Sequence, residues 1–114
     1  MAEIVWADPA IQDLDAIADY IALDKPDAAY GFVQKALAAV ERLRRFPQMG
    51  GPIPEIPALP YRQLIIPPSR IFYRLEKKVV YIAHVLRVEQ LVRRELFAPA
   101  TDVARKRPPK RRGG

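Results

Sequence analysis

Apolar residues recur along this chain with two different periods, and the change of period divides it. Glu3-Ile4-Val5-Trp6 is short, β-branched and aromatic, and predicts a strand. Ile11, Leu14, Ile17, Ala18 and Ile21 follow at three- and four-residue spacing, which puts them on one face of a helix. Asp8-Pro9 supplies its start, since an aspartate side chain can cap free N–H groups and proline suits the first helical position. Asp13 and Asp19 fall outside the apolar arc and are expected in solvent. Asp24-Lys25-Pro26-Asp27 interrupts the pattern and restarts it. Ala29, Phe32, Val33, Ala36, Leu37, Val40 and Leu43 then form a second, longer stripe, which Pro47 stops. Two amphipathic helices joined by so short a connection are expected to form an antiparallel hairpin.

Beyond the hairpin the period changes to two. Residues 47–60 hold Pro47, Pro52, Pro54, Pro57 and Pro60 with Gly50-Gly51, and predict an ordered or semi-rigid loop rather than a regular element. Three strands are predicted next, at 61–66, 70–76 and 79–86. Pro67-Pro68-Ser69 and Glu76-Lys77-Lys78 separate them, both of hairpin length, so the strands form an antiparallel meander. Ile71, Tyr73 and Leu75 alternate on one face of the second strand; the third is almost continuously apolar, as suits a strand covered on both sides. A weak apolar pattern at 88–97 is compatible with a short last helix. The element order β-α-α-β-β-β predicts an α+β fold of two layers, the N-terminal strand and helical hairpin packing on a four-stranded antiparallel sheet.

Charge sharpens this picture. The 114 residues carry a net charge of +6, with half of them apolar. Residues 1–40 hold seven acids against two lysines, residues 41–97 five acids against eleven Lys and Arg, and residues 98–114 one acid against six. The first third is thus acidic, the second half basic, and the end a strongly basic tail. A domain over 1–97 and a tail over 98–114, disordered in isolation, is the expected organisation. The tail's charges suit non-specific nucleic-acid contact by counterion release, or equally a solubility or docking role. An acidic helix face would turn RNA or DNA toward the opposite, basic surface.

Cysteine is absent, which excludes disulfides, thiolate zinc sites and thiol catalysis. No apolar run spans a bilayer and no secretory signal is visible, so a cytoplasmic protein without membrane contact is expected. No phosphate loop, dinucleotide fingerprint or metal-ligand spacing occurs, and no cofactor or metal is expected. The candidate chemistry lies in the second half: Arg62, Arg70, Arg74, His84 and Arg87, on or beside three adjacent strands. Strand parity puts Arg70 and Arg74 on one face, and neighbouring strands can bring Arg62 and His84 near them. Arginine forks suit phosphate oxygens, and histidine exchanges protons near neutral pH. Against that stands the ordinary alternative of arginines paired with carboxylates and a structural histidine in an apolar strand.

Taken in order, the motifs resemble the RelE/ParE superfamily of type II toxin–antitoxin toxins over about residues 3–97. They are Ile4-Val5-Trp6 before Asp13-Leu14, Ile17-Ala18 and Tyr20-Ile21; Ala28-Ala29; Phe46-Pro47 and Gly50; Tyr61-Arg62-Gln63-Leu64; Arg70-Ile71-Phe72-Tyr73-Arg74; and Tyr81-Ile82-Ala83-His84 with Arg87. The resemblance implies a growth-inhibiting toxin neutralised by a cognate antitoxin. Its RelE-like branch cleaves mRNA on the ribosome, and its ParE-like branch poisons DNA gyrase. For a metal-free endoribonuclease it implies Arg62, Arg70, His84 and Arg87 as catalytic residues. For target binding it implies Arg62, Arg70, Arg74 and Arg87. Leu64 stands where the nuclease branch carries a second lysine, and no tyrosine follows Tyr81. With His84-x-x-Arg87 and the long hairpin, this favours the ParE-like branch; a nuclease and an inactive homologue are the alternatives.

Overall fold

The computed structural model describes residues 1–97. The proposed tail at 98–114 lies outside them. Strand β1 (Glu3–Trp6) leads into helix α1 (Asp8–Ala22), a three-residue connection and helix α2 (Pro26–Glu41), which ends in a 3-10 turn over Arg42–Arg44. Strands β2 (Gly51–Pro52), β3 (Arg62–Ile66), β4 (Ser69–Glu76) and β5 (Val79–Arg87) follow, and a second 3-10 turn covers Arg94–Phe97. Among the described residues no helix is long and apolar enough to cross a membrane.

The α+β architecture and the helical hairpin are as the sequence predicts. The sheet has five strands in the order β1-β5-β4-β3-β2, one more than expected. The addition is β2, inside the proline-rich segment, where Gly51 and Pro52 pair with Gln63 and Arg62. Pro52 fits there because proline is tolerated at a sheet edge, where no ladder donor is required of it. The sheet is also mixed: β1 runs parallel to β5, while the other pairs are antiparallel. The chain leaves β1 through the hairpin, enters at the far edge and meanders back, the kind of long crossover that a parallel pair requires.

The main core lies between the hairpin and the sheet. Leu14, Ile17, Phe32, Ala36, Val40 and Leu43 meet Ile71, Tyr73, Val80, Ile82 and Val85. Ile11 and Leu37, read as stripe residues, turn partly outward and are exposed. A second cluster sits on the other face of the sheet, where Ile53, Phe72 and Val92 are packed by Ile56, Tyr61, Leu86 and Phe97. The proline-rich segment and the chain after β5 thus form a partial third layer. That layer explains why β4 is buried on both faces from Ser69 to Tyr73. The 88–97 segment is a turn at 88–90, an irregular stretch at 91–93 and a final 3-10 turn, and Val92 and Phe97 reach the sheet without an α-helix.

Helix α1 begins at Asp8, but no side chain caps it, and Ala7 is its N-cap. Asp8 sits in the first turn, where its charge opposes the positive end of the helix dipole.

Candidate functional site

Three polar constellations surround β4 and β5, and they account for most of the candidate residues. The first is centred on Arg70, which is buried with 7 % of its surface exposed. Its guanidinium makes a fork with Glu55, at 2.8 and 2.7 Å. Nε and Nη2 also donate to Gln63 Oε1, at 3.0 and 2.9 Å, and Nη1 donates to the Gln90 carbonyl at 3.1 Å. A guanidinium has five N–H donors, so every one of them is used internally. Glu55 in turn accepts from the Val92 amide at 3.1 Å. The Arg70 guanidinium, with that amide, outweighs desolvation and holds the Glu55 carboxyl down to about 2. This group ties together the proline-rich segment, β3, β4 and the chain after β5.

The second constellation is at His84. The register between β4 and β5 slips at Phe72/Tyr73: Phe72 faces His84, whereas Tyr73 faces Ile82. Ala83 is therefore an extra residue, a bulge that re-aims His84. Strand β1 ends at Trp6 opposite Ile82, which leaves the next part of β5 without a strand on that side. Asp13 of α1 fills the place. One of its carboxylate oxygens accepts from the Val85 amide at 3.0 Å and lies 3.2 Å from His84 Nδ1. A carboxylate can only accept, so Nδ1 carries the proton in this contact. Asp13 is thus a partner of the sheet edge, not the solvated residue that helix periodicity predicts. The Phe97 ring lies edge-on to the imidazole, at 5.8 Å.

The third constellation holds the turn after α2. The Tyr73 hydroxyl donates to the Pro47 carbonyl and accepts from the Gly50 amide, both at 2.9 Å. Burial pushes its pKa up, which keeps the phenol protonated. Arg62 Nη1 donates to the carbonyls of Gly50, at 2.6 Å, and Gln48, at 3.2 Å. Gly50 is required by space: an added Cβ would lie 2.6 Å from the Gln63 carbonyl oxygen and 2.8 Å from the Tyr73 ring.

The structure does not gather the five candidates into one patch. Arg62 pairs with Tyr73, and Leu64 with Ile71, so Arg62 is on the hairpin side of the sheet. Arg70 and Arg74 are on the other side, with Phe72. Arg74 makes an ion pair with Glu76 and lies over the Tyr81 ring at 4.4 Å. Arg87 pairs with Glu89 at 2.7 Å and approaches the Tyr20 ring. Glu55, Asp13, Gln63 and Tyr73 are not among the site candidates that the sequence offers, although Glu55 is the only acid between Glu41 and Glu76. Among the described residues no group of three His, Asp or Glu side chains is placed to hold a metal.

Comparison with known proteins agrees on one lineage. The family model described as the ParE toxin of the type II toxin–antitoxin system parDE matches residues 4–92. Toxin RelE2 of Caulobacter vibrioides is 30 % identical over 92 residues, covering 80 % of this chain and all of that protein. A solved structure titled "Chromosomal ParDE TA system from P. aeruginosa" superposes with a TM-score of 0.66 at 30 % identity. It covers 78 % of this chain and 98 % of that one. The names of these relatives fall on both sides of the RelE/ParE divide, while the fold and the family model are common ground. The chain belongs to the ParE toxin family of type II toxin–antitoxin systems, within the RelE/ParE superfamily.

Proposed function

We propose that this toxin acts by binding rather than by catalysis, as a ParE-like poison of DNA gyrase, and that a cognate antitoxin neutralises it. The observation that supports this reading is the state of Arg70. A nuclease arginine must offer donors to a phosphate whose charge grows in the transition state. All five donors of Arg70 are already committed to Glu55, Gln63 and Gln90. Arg74 and Arg87 also have carboxylate partners, and Arg62 holds a turn. Arg74 and Arg87 are more exposed than Arg70 and are the better candidates for touching a protein target.

A second reading has one specific observation in its favour. Asp13 orients the His84 ring through Nδ1, an arrangement that in a nuclease would present Nε2 as a general base toward a 2′-hydroxyl. One substitution separates the two readings. In His84→Asn the side-chain amide can still donate to Asp13, but nothing remains to exchange a proton. Binding without catalysis predicts that growth arrest and gyrase inhibition persist in His84→Asn, with no mRNA cleavage by either protein. Ribosome-dependent mRNA cleavage by the native chain that His84→Asn abolishes would overturn it in favour of the nuclease.

A further inference from the structure

We infer that the apolar ledge at the end of α2, formed by Phe46 and Met49 and flanked by Arg42 and Arg45, receives an acidic amphipathic helix of the antitoxin. The inference rests on the toxin reading above and adds a place and a chemistry to it.

Two depressions meet at Phe46. One, of about 570 Å³, is lined by Arg42, Phe46, Pro47, Gln48 and Met49. The other, of about 400 Å³, continues past Phe46 to Met1, Ala38 and the Glu41–Arg44 pair. Phe46 is 54 % exposed and Met49 39 %, and the two line one continuous depression rather than standing as scattered single residues.

The exposure is not that of a loose loop. The Phe46 amide donates to the Arg42 carbonyl, and the Met49 amide to the Phe46 carbonyl. The carbonyls of Pro47 and Gln48 and both backbone groups of Gly50 are held by Tyr73 and Arg62. The turn is thus built to present its apolar side chains outward in one geometry. A preorganised surface binds without a large ordering cost. This is also the role the structure gives Arg62: a positioning residue for the ledge.

Charge selects the occupant. Arg44 is paired with Glu41. Arg42 and Arg45 are exposed and make no ion pair among the described residues. An apolar stripe bordered by two uncommitted guanidinium groups fits a partner with an apolar stripe bordered by carboxylates. Ala38, Arg42 and Phe46 recur every four residues along α2 and the turn that extends it, the spacing against which a second helix packs. Another exposed apolar cluster, Tyr20 and Leu23 at the hairpin tip, is bordered by Asp24 as well as Lys25, and Arg87 beside Tyr20 is already paired with Glu89, so it lacks the two uncommitted arginines of the ledge.

The test measures the affinity of the full chain for the product of the small reading frame adjoining its own. The variants are Phe46→Asp, Arg42→Glu with Arg45→Glu, and Leu23→Asp as the control. All four positions are exposed, and unchanged melting temperatures verify folding. Where Phe46→Asp lowers the melting temperature, Phe46→Ala replaces it. Binding is expected to weaken at least tenfold in Phe46→Asp and in the double arginine variant. Leu23→Asp is expected to stay within twofold of the native chain. The arginine variant should also lose most of the salt dependence of binding. Affinities within twofold of native for both ledge variants would overturn the inference while leaving the toxin reading intact. So would a ledge-dependent dimer of the toxin with unchanged antitoxin affinity, which would assign the ledge to a second copy. A native chain that binds no such product defeats both this inference and the toxin reading beneath it.

Discussion

Arg70 and the pair Arg42–Arg45 are the same residue type in opposite circumstances. Arg70 lies on a strand among apolar residues, the position where a sequence suggests a site. It is buried and has no donor to spare. Arg42 and Arg45 follow a helix, where basic residues are expected for reasons of dipole and solubility alone. They are exposed, flank an apolar ledge and have no carboxylate partner among the described residues. The difference teaches that an arginine's availability is set by what else its fold delivers to it. A guanidinium taken from water must be matched by acceptors, and Glu55, Gln63 and Gln90 match this one. Once matched, its donors join segments of chain.

The largest expected effect follows from breaking that match. Glu55→Ala leaves a buried guanidinium without its carboxylate and should cost about 3–5 kcal/mol in urea unfolding. A loss below about 1 kcal/mol would place Arg70 among the free arginines. The same pair predicts an acid dependence. The carboxyl sits at about 2 in the folded protein against 4.5 for an unperturbed glutamate. Its stabilisation is therefore complete above about pH 4.5 and is lost as pH falls toward 2. Unfolding measured across that range should show a slope that Glu55→Gln reduces.

Gly50→Ala comes next. Its methyl group would press on the Gln63 carbonyl and the Tyr73 ring, at an expected cost of about 2–3 kcal/mol. Loss of the latch should also weaken antitoxin binding, because the ledge is presented by that turn. Asp13→Ala should cost about 1–2 kcal/mol, by leaving the Val85 amide and the His84 ring short of an acceptor. At the small end, Arg42→Ala and Arg45→Ala should each change stability by no more than about 0.5 kcal/mol. Thermal unfolding that showed a larger loss would mean these arginines too are structural, and the comparison would dissolve.

Much of this fold is legible in the sequence because it rests on local periodicity. The two helical stripes, the three meander strands and the proline break after α2 follow from spacings of two, three and four residues. The candidate site was less legible because its closing contacts are distant or depend on register. Asp13 and Val85 are 72 residues apart, so nothing in the α1 pattern marks Asp13 as the acceptor for a sheet edge. Parity along one strand correctly puts Arg70 and Arg74 together. It says nothing of Arg62, whose side is fixed by the pairing of Ile66 with Ser69 across the Pro67-Pro68 turn. The bulge at Ala83 also hides where His84 goes, since a single extra residue reverses parity. Strand β2 is two residues long and contains a proline, too short to carry a period at all.

A toxin that acts by contact needs His84 and Arg70 only for its fold. The most direct measurement expresses the native chain and His84→Asn side by side, mapping mRNA ends and assaying gyrase supercoiling with each purified protein. Equal growth arrest, equal gyrase inhibition and no mRNA cleavage by either protein is the predicted result. Cleavage by the native chain that vanishes in a folded His84→Asn would contradict it.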